Sequence, residues 1–409
     1  MVVRGMDQPL RSLYICYLSL DDPLVHTQVV AYLEGLAGCG HVVHLLTFDS
    51  ELEPERRRAM AARLSRRGIE WHSRRYHKRP SLPATIYDTL VGAVTAVRIM
   101  RRHRLDAVHA RNHVPAAMAL IASRLRGCKL VFDLRGLMAE EYVDAGIWRR
   151  GGLPYRITDR IQRAAIERAD GVVMLTEAVR RQLFGEGSWQ RPIAVIPCCT
   201  DTASSNGRLT SRDIVRRELG IRDGPVMIYV GKFTGWYMEG EMVEFFAAAK
   251  RLQPHLTFVI LTQADAEPIR EELRSNSIAA EDYLIARAQP EEVPRFLAAA
   301  DFGISFIRPS FSKISSSPTK IGEYLNAGLP VISTRGIGDV DPLLEQHGVG
   351  ILVDDFSPPA YDAAAVAIRE LAKDPHCRAR CRAVARKHLS LSDVGVPRYD
   401  RLYREVARA

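Results

Sequence analysis

The sequence of 409 residues contains no uninterrupted apolar stretch long enough to cross a bilayer. Its longest apolar segment, from Leu82 to Met100, is interrupted by Asp88 and by threonines. This pattern is typical of an amphipathic helix, since a membrane span needs roughly 20 apolar residues. The first 13 residues include Arg4, Asp7 and Arg11 and lack the apolar core of a secretory signal. We therefore expect a cytoplasmic protein.

The sequence also lacks a pattern of cysteines that would form a disulfide framework. The seven cysteines are odd in number, scattered and mostly set in apolar segments, which favours reduced, buried thiols. Cys377 and Cys381 lie one helical turn apart, but no histidine or further cysteine accompanies them at ligand spacing. The sequence thus predicts neither disulfides nor a metal site.

Acidic residues are scarce only in the first half of the chain. Residues 1–190 contain 29 Lys and Arg against 20 Asp and Glu, whereas residues 191–409 contain 28 of each, so the whole net charge of +9 arises before residue 191. A basic half-molecule attracts anionic partners such as lipid headgroups or a phosphate-bearing acceptor, although ordinary solvation also accounts for it. Nucleic acid is not expected as a partner, because the arginines accompany no helix-turn-helix, zinc-finger or RNA-binding signature.

Short runs of Val, Ile and Leu alternate with segments of helical period along the whole chain, which indicates βα units and parallel sheets. A polar stretch without periodicity, residues 200–212, interrupts this alternation and is typical of a linker. We therefore predict an α/β protein with two Rossmann-like, doubly wound domains facing across a cleft, residues 1–200 and 201–390. Residues 391–409 are expected to pack back on the first domain. The predicted strands cover residues 13–18, 41–48, 69–73, 107–110, 129–134, 171–175, 193–196, 226–230, 257–261, 283–286, 302–306 and 331–333.

The segment Ser315 to Ile332 carries the strongest chemical signal. Serines lead into Pro318 at a predicted first helical position, so unpaired backbone N–H groups at a helix N-terminus form an anion site. Lys320 in the first turn opposes the helix dipole unless an anion lies beside it, and a diphosphate would supply one. Glu323, one turn further on, could accept two hydrogen bonds from a ribose diol.

These residues resemble the donor-binding signature of family 4 glycosyltransferases, in the subgroup that reads Ser-Pro-Thr-Lys followed by Glu-Tyr and Gly-x-Pro-Val. The resemblance extends over nearly the whole chain, through residues 22–28, 131–141, 169–173 and 195–197. It implies the GT-B arrangement of two Rossmann-like domains, a nucleotide diphosphate sugar as donor, no metal or other cofactor, and retention of the anomeric configuration.

In the second domain, the resemblance assigns the donor ribose to Glu323 and the diphosphate to Lys320 with the amides near Ser317, Pro318 and Thr319. It also matches Gly231 and Lys232 to a glycine-basic pair that stabilises the leaving diphosphate. Ala288 is assigned to the donor base from its position in the fold. Two positions depart from the family: Glu239 stands where relatives have a lysine, and Ser315 stands where they have the first of two paired glutamates.

In the first domain, the predicted strand 129–134 delivers Asp133 and then Arg135, where many relatives carry a histidine. Arg135 stays protonated and so cannot act as a base, but it can stabilise developing charge or hold an anionic acceptor. Asp133 and His113 are alternative catalytic bases. The expected acceptor contacts are Asp21, Asp22, His26 and Arg111.

The predicted function is transfer of a sugar to a saccharide or lipid-linked acceptor in polysaccharide or glycoconjugate biosynthesis, at the inner face of the membrane. Two alternatives share the fold. A nucleotide-sugar-binding subunit without activity would explain Glu239 and Ser315, and a nucleotide-sugar epimerase would need acid and base groups around the sugar C2.

Overall fold

The computed structural model describes residues 8–50, 53–77, 79, 81–187, 189–201, 212–221, 223–233 and 235–409. Contacts between Cα atoms divide the chain into two compact units. The first unit comprises Met1–Pro197 together with Leu391–Ala409, and the second comprises Cys198–Ser390. Most of the predicted linker, residues 202–211, lies outside the described residues.

The first unit is built on a parallel sheet of seven strands in the order β3-β2-β1-β4-β5-β6-β7. The central strands β1, β4 and β5 are almost entirely buried, as expected for a sheet that helices cover on both faces. The strands are β1 (Arg11–Cys16), β2 (Val42–Asp49), β3 (Ile69–Arg75), β4 (Ala107–Arg111), β5 (Lys129–Leu134), β6 (Gly171–Met174) and β7 (Ile193–Val195).

Helices connect these strands. A π-helical turn, His26–Val30, joins α1 to α2. The N-cap side chains of Asp22, Asn112 and Thr176 accept backbone N–H bonds at the starts of α1, α5 and α8. The helices are α1 (Pro23–Val25), α2 (Ala31–Gly38), α3 (Pro54–Ser65), α4 (Ser81–His103), α5 (His113–Arg126), α6 (Met138–Asp144), α7 (Leu153–Arg168) and α8 (Glu177–Phe184).

The second unit repeats this plan with a six-stranded parallel sheet in the order β10-β9-β8-β11-β12-β13. Its strands are β8 (Val226–Val230), β9 (Thr257–Leu261), β10 (Tyr283–Ala286), β11 (Phe302–Ser305), β12 (Val331–Thr334) and β13 (Gly350–Val353). Its helices are α9 (Arg212–Glu218), α10 (Glu239–Leu252), α11 (Ala266–Ser275), α12 (Val293–Ala299), α13 (Thr319–Ala327), α14 (Val340–His347), α15 (Pro358–Lys373) and α16 (Cys377–Leu389).

The C-terminal helix α17 (Val396–Arg408) belongs to the first unit. Its buried face consists of Tyr399, Leu402, Tyr403 and Val406. The fit is close, because a Cβ atom on Gly35 of α2 would lie 2.2 Å from the Val396 side chain. The helix therefore packs on the first unit through an apolar and aromatic face.

Two doubly wound parallel sheets confirm the predicted fold class. The sequence predicts no strand over residues 350–353, where β13 forms the edge of the second sheet. None of the described helices, including α4, is long and apolar enough to cross a membrane. None of the seven cysteines, all of which lie in the described part of the chain, forms a disulfide, and the Cys377 and Cys381 sulfurs lie 3.9 Å apart.

Candidate functional site

In each sheet the strand order reverses at one point, between β1 and β4 in the first sheet and between β8 and β11 in the second. Open α/β sheets bind ligands outside the carboxyl ends of the strands at such a point. Gly231 and Lys232 follow β8 directly and therefore lie at the switch point of the second unit. Lys232 is exposed.

Gly231 has a φ of 129°, a conformation that favours glycine. A Cβ atom at this position would lie 3.2 Å from the Lys320 Nζ. The backbone of Gly231 and the ammonium of Lys320 are thus close neighbours, although 88 intervening residues separate them in the sequence. Two of the predicted donor-binding residues therefore meet at the switch point.

Lys320, the second residue of α13, is buried, with only 6% of its surface exposed. Its Nζ lies 3.9 Å from the ring centroid of Tyr229 and 3.8 Å from that of Tyr237. These contacts are favourable cation–π interactions. Within the described part of the chain, however, Nζ has no hydrogen-bond partner.

Burial lowers the pKa of Lys320 well below its usual value of 10.5, and the nearby carboxylate of Glu323 opposes this only in part. Glu323 is half-buried, and burial raises the pKa of its carboxyl although Lys320 lowers it. A buried ammonium without an acceptor is costly, and a bound anion would remove that cost. The arrangement is therefore suited to an anionic ligand.

The remaining predicted donor residues lie near this lysine or on a neighbouring loop. Pro318 is the N-cap of α13 and Thr319 is its first residue, so the prediction of Pro318 as the first helical residue is wrong by one position. The Ser317 hydroxyl accepts a hydrogen bond from the Cys198 N–H at 3.0 Å. Ala288 follows β10, and its carbonyl accepts a hydrogen bond from Gln263.

The two departures from the family pattern also have defined positions. Ser315 is buried, and its hydroxyl donates to the Ser312 carbonyl at 2.7 Å within a short 3₁₀ helix. Glu239 is the first residue of α10, where a carboxylate suits the positive end of the helix dipole. Both residues thus have local structural roles.

In the first unit, Asp133 is fully buried near the end of β5. Its Oδ2 accepts hydrogen bonds from the hydroxyls of Tyr14 (3.1 Å) and Tyr399 (3.0 Å). Burial by itself raises the pKa of Asp133, but Arg135 and Arg111 outweigh it and lower the pKa below the usual carboxyl value. Full burial and a lowered pKa argue against a role for Asp133 as a catalytic base.

Arg111 and Arg135 flank this carboxylate. The Arg111 Nη1 lies 3.5 Å from Oδ2, and the Arg135 Nη1 lies 3.6 Å from Oδ1. Gln28 holds both guanidiniums from a third side, through its carbonyl for Arg111 and its amide oxygen for Arg135. Asp133 therefore fixes two cations at the carboxyl ends of β4 and β5.

His113, the first residue of α5, is buried with both ring nitrogens engaged. Nδ1 lies 2.5 Å from the Asn112 Oδ1, and Nε2 lies 2.9 Å from the Gln162 Oε1. Burial lowers the pKa of His113 to about 4. These contacts are those of a structural histidine and argue against its use as a base.

Two of the predicted acceptor residues, Asp21 and His26, line a cavity of about 240 Å³ in the first unit. The same cavity is lined by Arg56, Arg63 and Arg67 of α3 and the residues that follow it. Arg56 forms an ion pair with Asp21 at 2.7 Å. Asp22 lies nearby as the N-cap of α1, with its carboxylate accepting from the Leu24 N–H.

Several residues that contact the candidate site residues were not predicted from the sequence. Tyr229 and Tyr237 enclose Lys320, and Lys313 lies buried over the ring of Trp236 at 3.8 Å. Tyr399 reaches Asp133 from the opposite end of the chain. The sequence contains one signal for the aromatic neighbours of the lysines, the adjacent pair Trp236-Tyr237 between a strand and a helix. This pair does not show which lysines the rings contact.

Two doubly wound units, with a buried lysine at the switch point of the second, are the architecture expected of GT-B glycosyltransferases. Residues 25–199 match the family model described as the glycosyl transferase 4-like domain, and residues 224–374 match the model of glycosyl transferases group 1. The two matches together account for most of the chain. The protein belongs to the family 4 glycosyltransferases and transfers a sugar.

Individual relatives agree with this assignment. The chain is 25% identical over 379 residues to an alpha-D-kanosaminyltransferase of Streptomyces kanamyceticus, covering 87% of this chain and 92% of that protein. It shares the fold of Anabaena Alr3699/HepE, solved in complex with UDP-glucose (TM-score 0.68, 14% identity, 98% of each chain). It also shares the fold of WaaG, a glycosyltransferase involved in lipopolysaccharide biosynthesis (TM-score 0.66, 17% identity, 91% and 95% covered).

Proposed function

We propose that this glycosyltransferase takes its sugar from a nucleoside diphosphate sugar that binds in the second unit at the carboxyl end of β8. The observation that carries the proposal is the buried ammonium of Lys320, which contacts two aromatic rings but no hydrogen-bond acceptor among the described residues. The diphosphate would accept from Lys320 and Lys232, and Glu323 would accept from the ribose hydroxyls. The complexes of HepE with UDP and with UDP-glucose support this class of donor.

The proposed reaction proceeds with retention and without a metal. The departing phosphate oxygen accepts the proton of the attacking acceptor hydroxyl on the same face of the sugar, so no separate base is needed. Lys232 and Lys320 stabilise the negative charge that develops on this oxygen. The buried, paired states of Asp133 and His113 support a mechanism that uses neither as a base.

A binding experiment tests the donor site. The full chain is titrated calorimetrically with UDP- and GDP-sugars, and Glu323→Gln is compared with Glu291→Gln, an exposed glutamate of the same unit. Loss of charge-assisted hydrogen bonds to the ribose should weaken donor binding about 10- to 100-fold in the first variant, with no change in the second. Equal affinities in all three proteins would contradict the assignment.

We propose that the acceptor binds in the first unit and carries a phosphate. Arg111 and Arg135 lie at the carboxyl ends of its strands, and three arginines line the cavity that Asp21 and His26 share. Arginine is well suited to phosphate because its planar fork donates two parallel hydrogen bonds. A saccharide linked to a lipid through phosphate combines the two acceptor features that the sequence suggests.

Helix α4 supports docking of the first unit on an anionic membrane. Four apolar side chains at intervals of four residues, Leu82, Ile86, Leu90 and Val94, are between 49% and 56% exposed. The exposed arginines 98, 101, 102 and 104 continue from this ridge, while the one acidic residue of the helix, Asp88, is buried. An apolar ridge followed by cations and lacking exposed acids suits an interface of anionic lipids.

Flotation with liposomes tests this docking. We expect salt-sensitive flotation with phosphatidylglycerol vesicles and none with phosphatidylcholine, because each arginine near an anionic surface contributes about 1 kcal/mol. The double variant Ile86→Ser/Leu90→Ser should lose flotation. The matched control Leu153→Ser/Ile157→Ser, on the exposed face of α7, should keep it. Equal flotation of both variants would refute a role for the α4 ridge.

Activity measurements separate transfer from epimerisation. Incubated with donor alone, an epimerase converts the sugar to an isomer, whereas the proposed transferase leaves it unchanged apart from slow hydrolysis. Release of nucleoside diphosphate should rise only when a phosphate-linked saccharide is added.

A further inference from the structure

Three histidines and a glutamate converge in the first unit, away from the residues discussed so far. His44 lies on β2, Glu70 and His72 lie on β3, and His103 is the last residue of α4. One potential ligand atom from each of the four lies within 4.8 Å of the others. Within the described part of the chain, no other group of three or more His, Cys, Asp and Glu side chains converges in this way.

The strand register explains the convergence. His44 pairs directly with Glu70 across the parallel ladder, and His72 lies two residues further along β3. Because side chains alternate between the faces of a sheet, all three point to one face, whereas Trp71 points to the other. The C-terminal end of α4 brings His103 to the same face, and its carbonyl accepts a hydrogen bond from Arg11 of β1.

The interatomic distances approach those of a tetrahedral site. The His44 Nδ1 lies 3.0 Å from the His72 Nε2, and the Glu70 Oε1 lies 3.5 Å from the His103 Nε2 and 4.0 Å from the His72 Nε2. In a tetrahedron with bonds of about 2.0–2.1 Å, the ligand atoms lie about 3.3–3.4 Å apart. Small side-chain rotations would therefore place all four atoms around one ion.

The burial of the side chains would hold an ion at the sheet and still let it enter. His44 is buried. His72, His103 and Glu70 have 21%, 22% and 53% of their side-chain surfaces exposed, which gives an ion access from solvent. Arg11 and Arg102 are the nearby cations, and they act against an ion electrostatically.

We propose that His44, Glu70, His72 and His103 form a binding site for a divalent transition metal, with Zn²⁺ as the preferred ion. Three imidazole nitrogens and one carboxylate oxygen are ligands that Zn²⁺ accepts, and Mg²⁺ and Ca²⁺ prefer oxygen ligands. The site is separate from sugar transfer, because His44 and Glu70 are the third and second residues of their strands, near the amino ends. The candidate acceptor residues Arg111 and Arg135 lie at the carboxyl ends of theirs.

The ion would have a structural effect on this part of the first unit. β3 is an edge strand held to the sheet by β2 alone, and the ion would tie it to β2 and to the end of α4. Since α4 also carries the apolar ridge, the metal would stabilise the helix that we propose to dock on the membrane.

Metal binding is tested on the full chain, prepared without a histidine tag and freed of metal by chelation. We expect one Zn²⁺ per chain by competition with a chromophoric chelator, a higher melting temperature in Zn²⁺, and visible d–d absorption with Co²⁺. His72→Gln and His103→Gln should each weaken Zn²⁺ binding more than about 100-fold, because even partners that only orient a ligand change affinity about 10- to 100-fold. The matched control His255→Gln, an exposed histidine of the second unit, should bind as the wild type does.

The spectrum also distinguishes the four-residue cluster from the cysteine pair. A site at Cys377 and Cys381 would add an intense thiolate charge-transfer band to the Co²⁺ spectrum, whereas a site of imidazoles and a carboxylate lacks this band. The proposal is refuted by the absence of stoichiometric binding, by a thiolate band, or by full Zn²⁺ affinity in His72→Gln and His103→Gln.

Discussion

Replacing Lys320 by methionine should make the protein more stable and a poorer binder of its donor. The ammonium is buried against Tyr229 and Tyr237. Burial lowers its pKa, and the nearby carboxylate of Glu323 opposes this only in part. Methionine has a similar length and carries no charge. Replacing buried charged groups by apolar ones of similar size gains about 1–4 kcal/mol where it is favourable. We expect a gain in this range for Lys320→Met at pH 7.

The gain in stability can be measured as a rise in melting temperature. For a unit of the size of Cys198–Ser390, each kcal/mol corresponds to about 2–4 °C. Donor binding should change in the opposite direction, because a charge-assisted hydrogen bond contributes about 1.5–3 kcal/mol, equivalent to roughly 10- to 100-fold in Kd. Lys387→Met, an exposed lysine on α16, serves as the control and should change neither quantity.

The lowered pKa of Lys320 also determines how donor affinity depends on pH. Since the pKa of Lys320 is lowered in the free protein and a bound diphosphate raises it, donor binding takes up a proton at pH values between the two. Donor affinity should therefore fall as pH rises through this window, and calorimetry in buffers of different ionisation enthalpy should detect the proton. In Lys320→Met this proton uptake should disappear. A variant that is less stable than the wild type and binds donor equally well would refute the reasoning.

Three further predictions concern the first unit. Tyr399→Phe removes a hydrogen bond to the buried Asp133 carboxylate and should lower the free energy of unfolding by about 1.5–3 kcal/mol, measured by urea denaturation; an unchanged midpoint would contradict it. Gly35→Ala should lower stability by about 1–3 kcal/mol despite the better helix propensity of alanine, because its Cβ would lie 2.2 Å from the Val396 side chain of α17. A rise in melting temperature would contradict this prediction and show that α17 shifts to make room for the methyl group. His109 on β4 and His113 are buried, and burial lowers their pKa values to about 4, from about 6.5 when unfolded. The unfolded state therefore binds more protons than the folded state between pH 6.5 and 4, and these two histidines should together lower stability by up to about 2.7 kcal/mol per pH unit as pH falls. His113→Gln should reduce this slope by one proton, and an equal slope in variant and wild type would count against it.

The sequence by itself determined the fold class and the principal candidate residues. Apolar runs four to eight residues long, separated by helical segments, reflect strands buried on both faces, and this periodicity is local in the chain. The candidate anion site at the start of α13 is also predictable from the sequence, because Pro318, Lys320 and Glu323 lie within six consecutive residues. The matches to both glycosyltransferase domain models agree with what these local patterns predict.

The tertiary structure decided how charged groups are paired and buried. Asp133 is an attractive base in the sequence, but it is fully buried and accepts hydrogen bonds from Tyr14 and Tyr399, which lie hundreds of residues apart. Arg135 and Arg111 lower its pKa. The rings that contact Lys320 belong to β8 and the loop that follows it. His44 lies beside Glu70 because of the register between β2 and β3. Secondary structure follows from a period of two or 3.6 residues within one segment, whereas burial and pKa depend on side chains that chain topology brings together from distant segments.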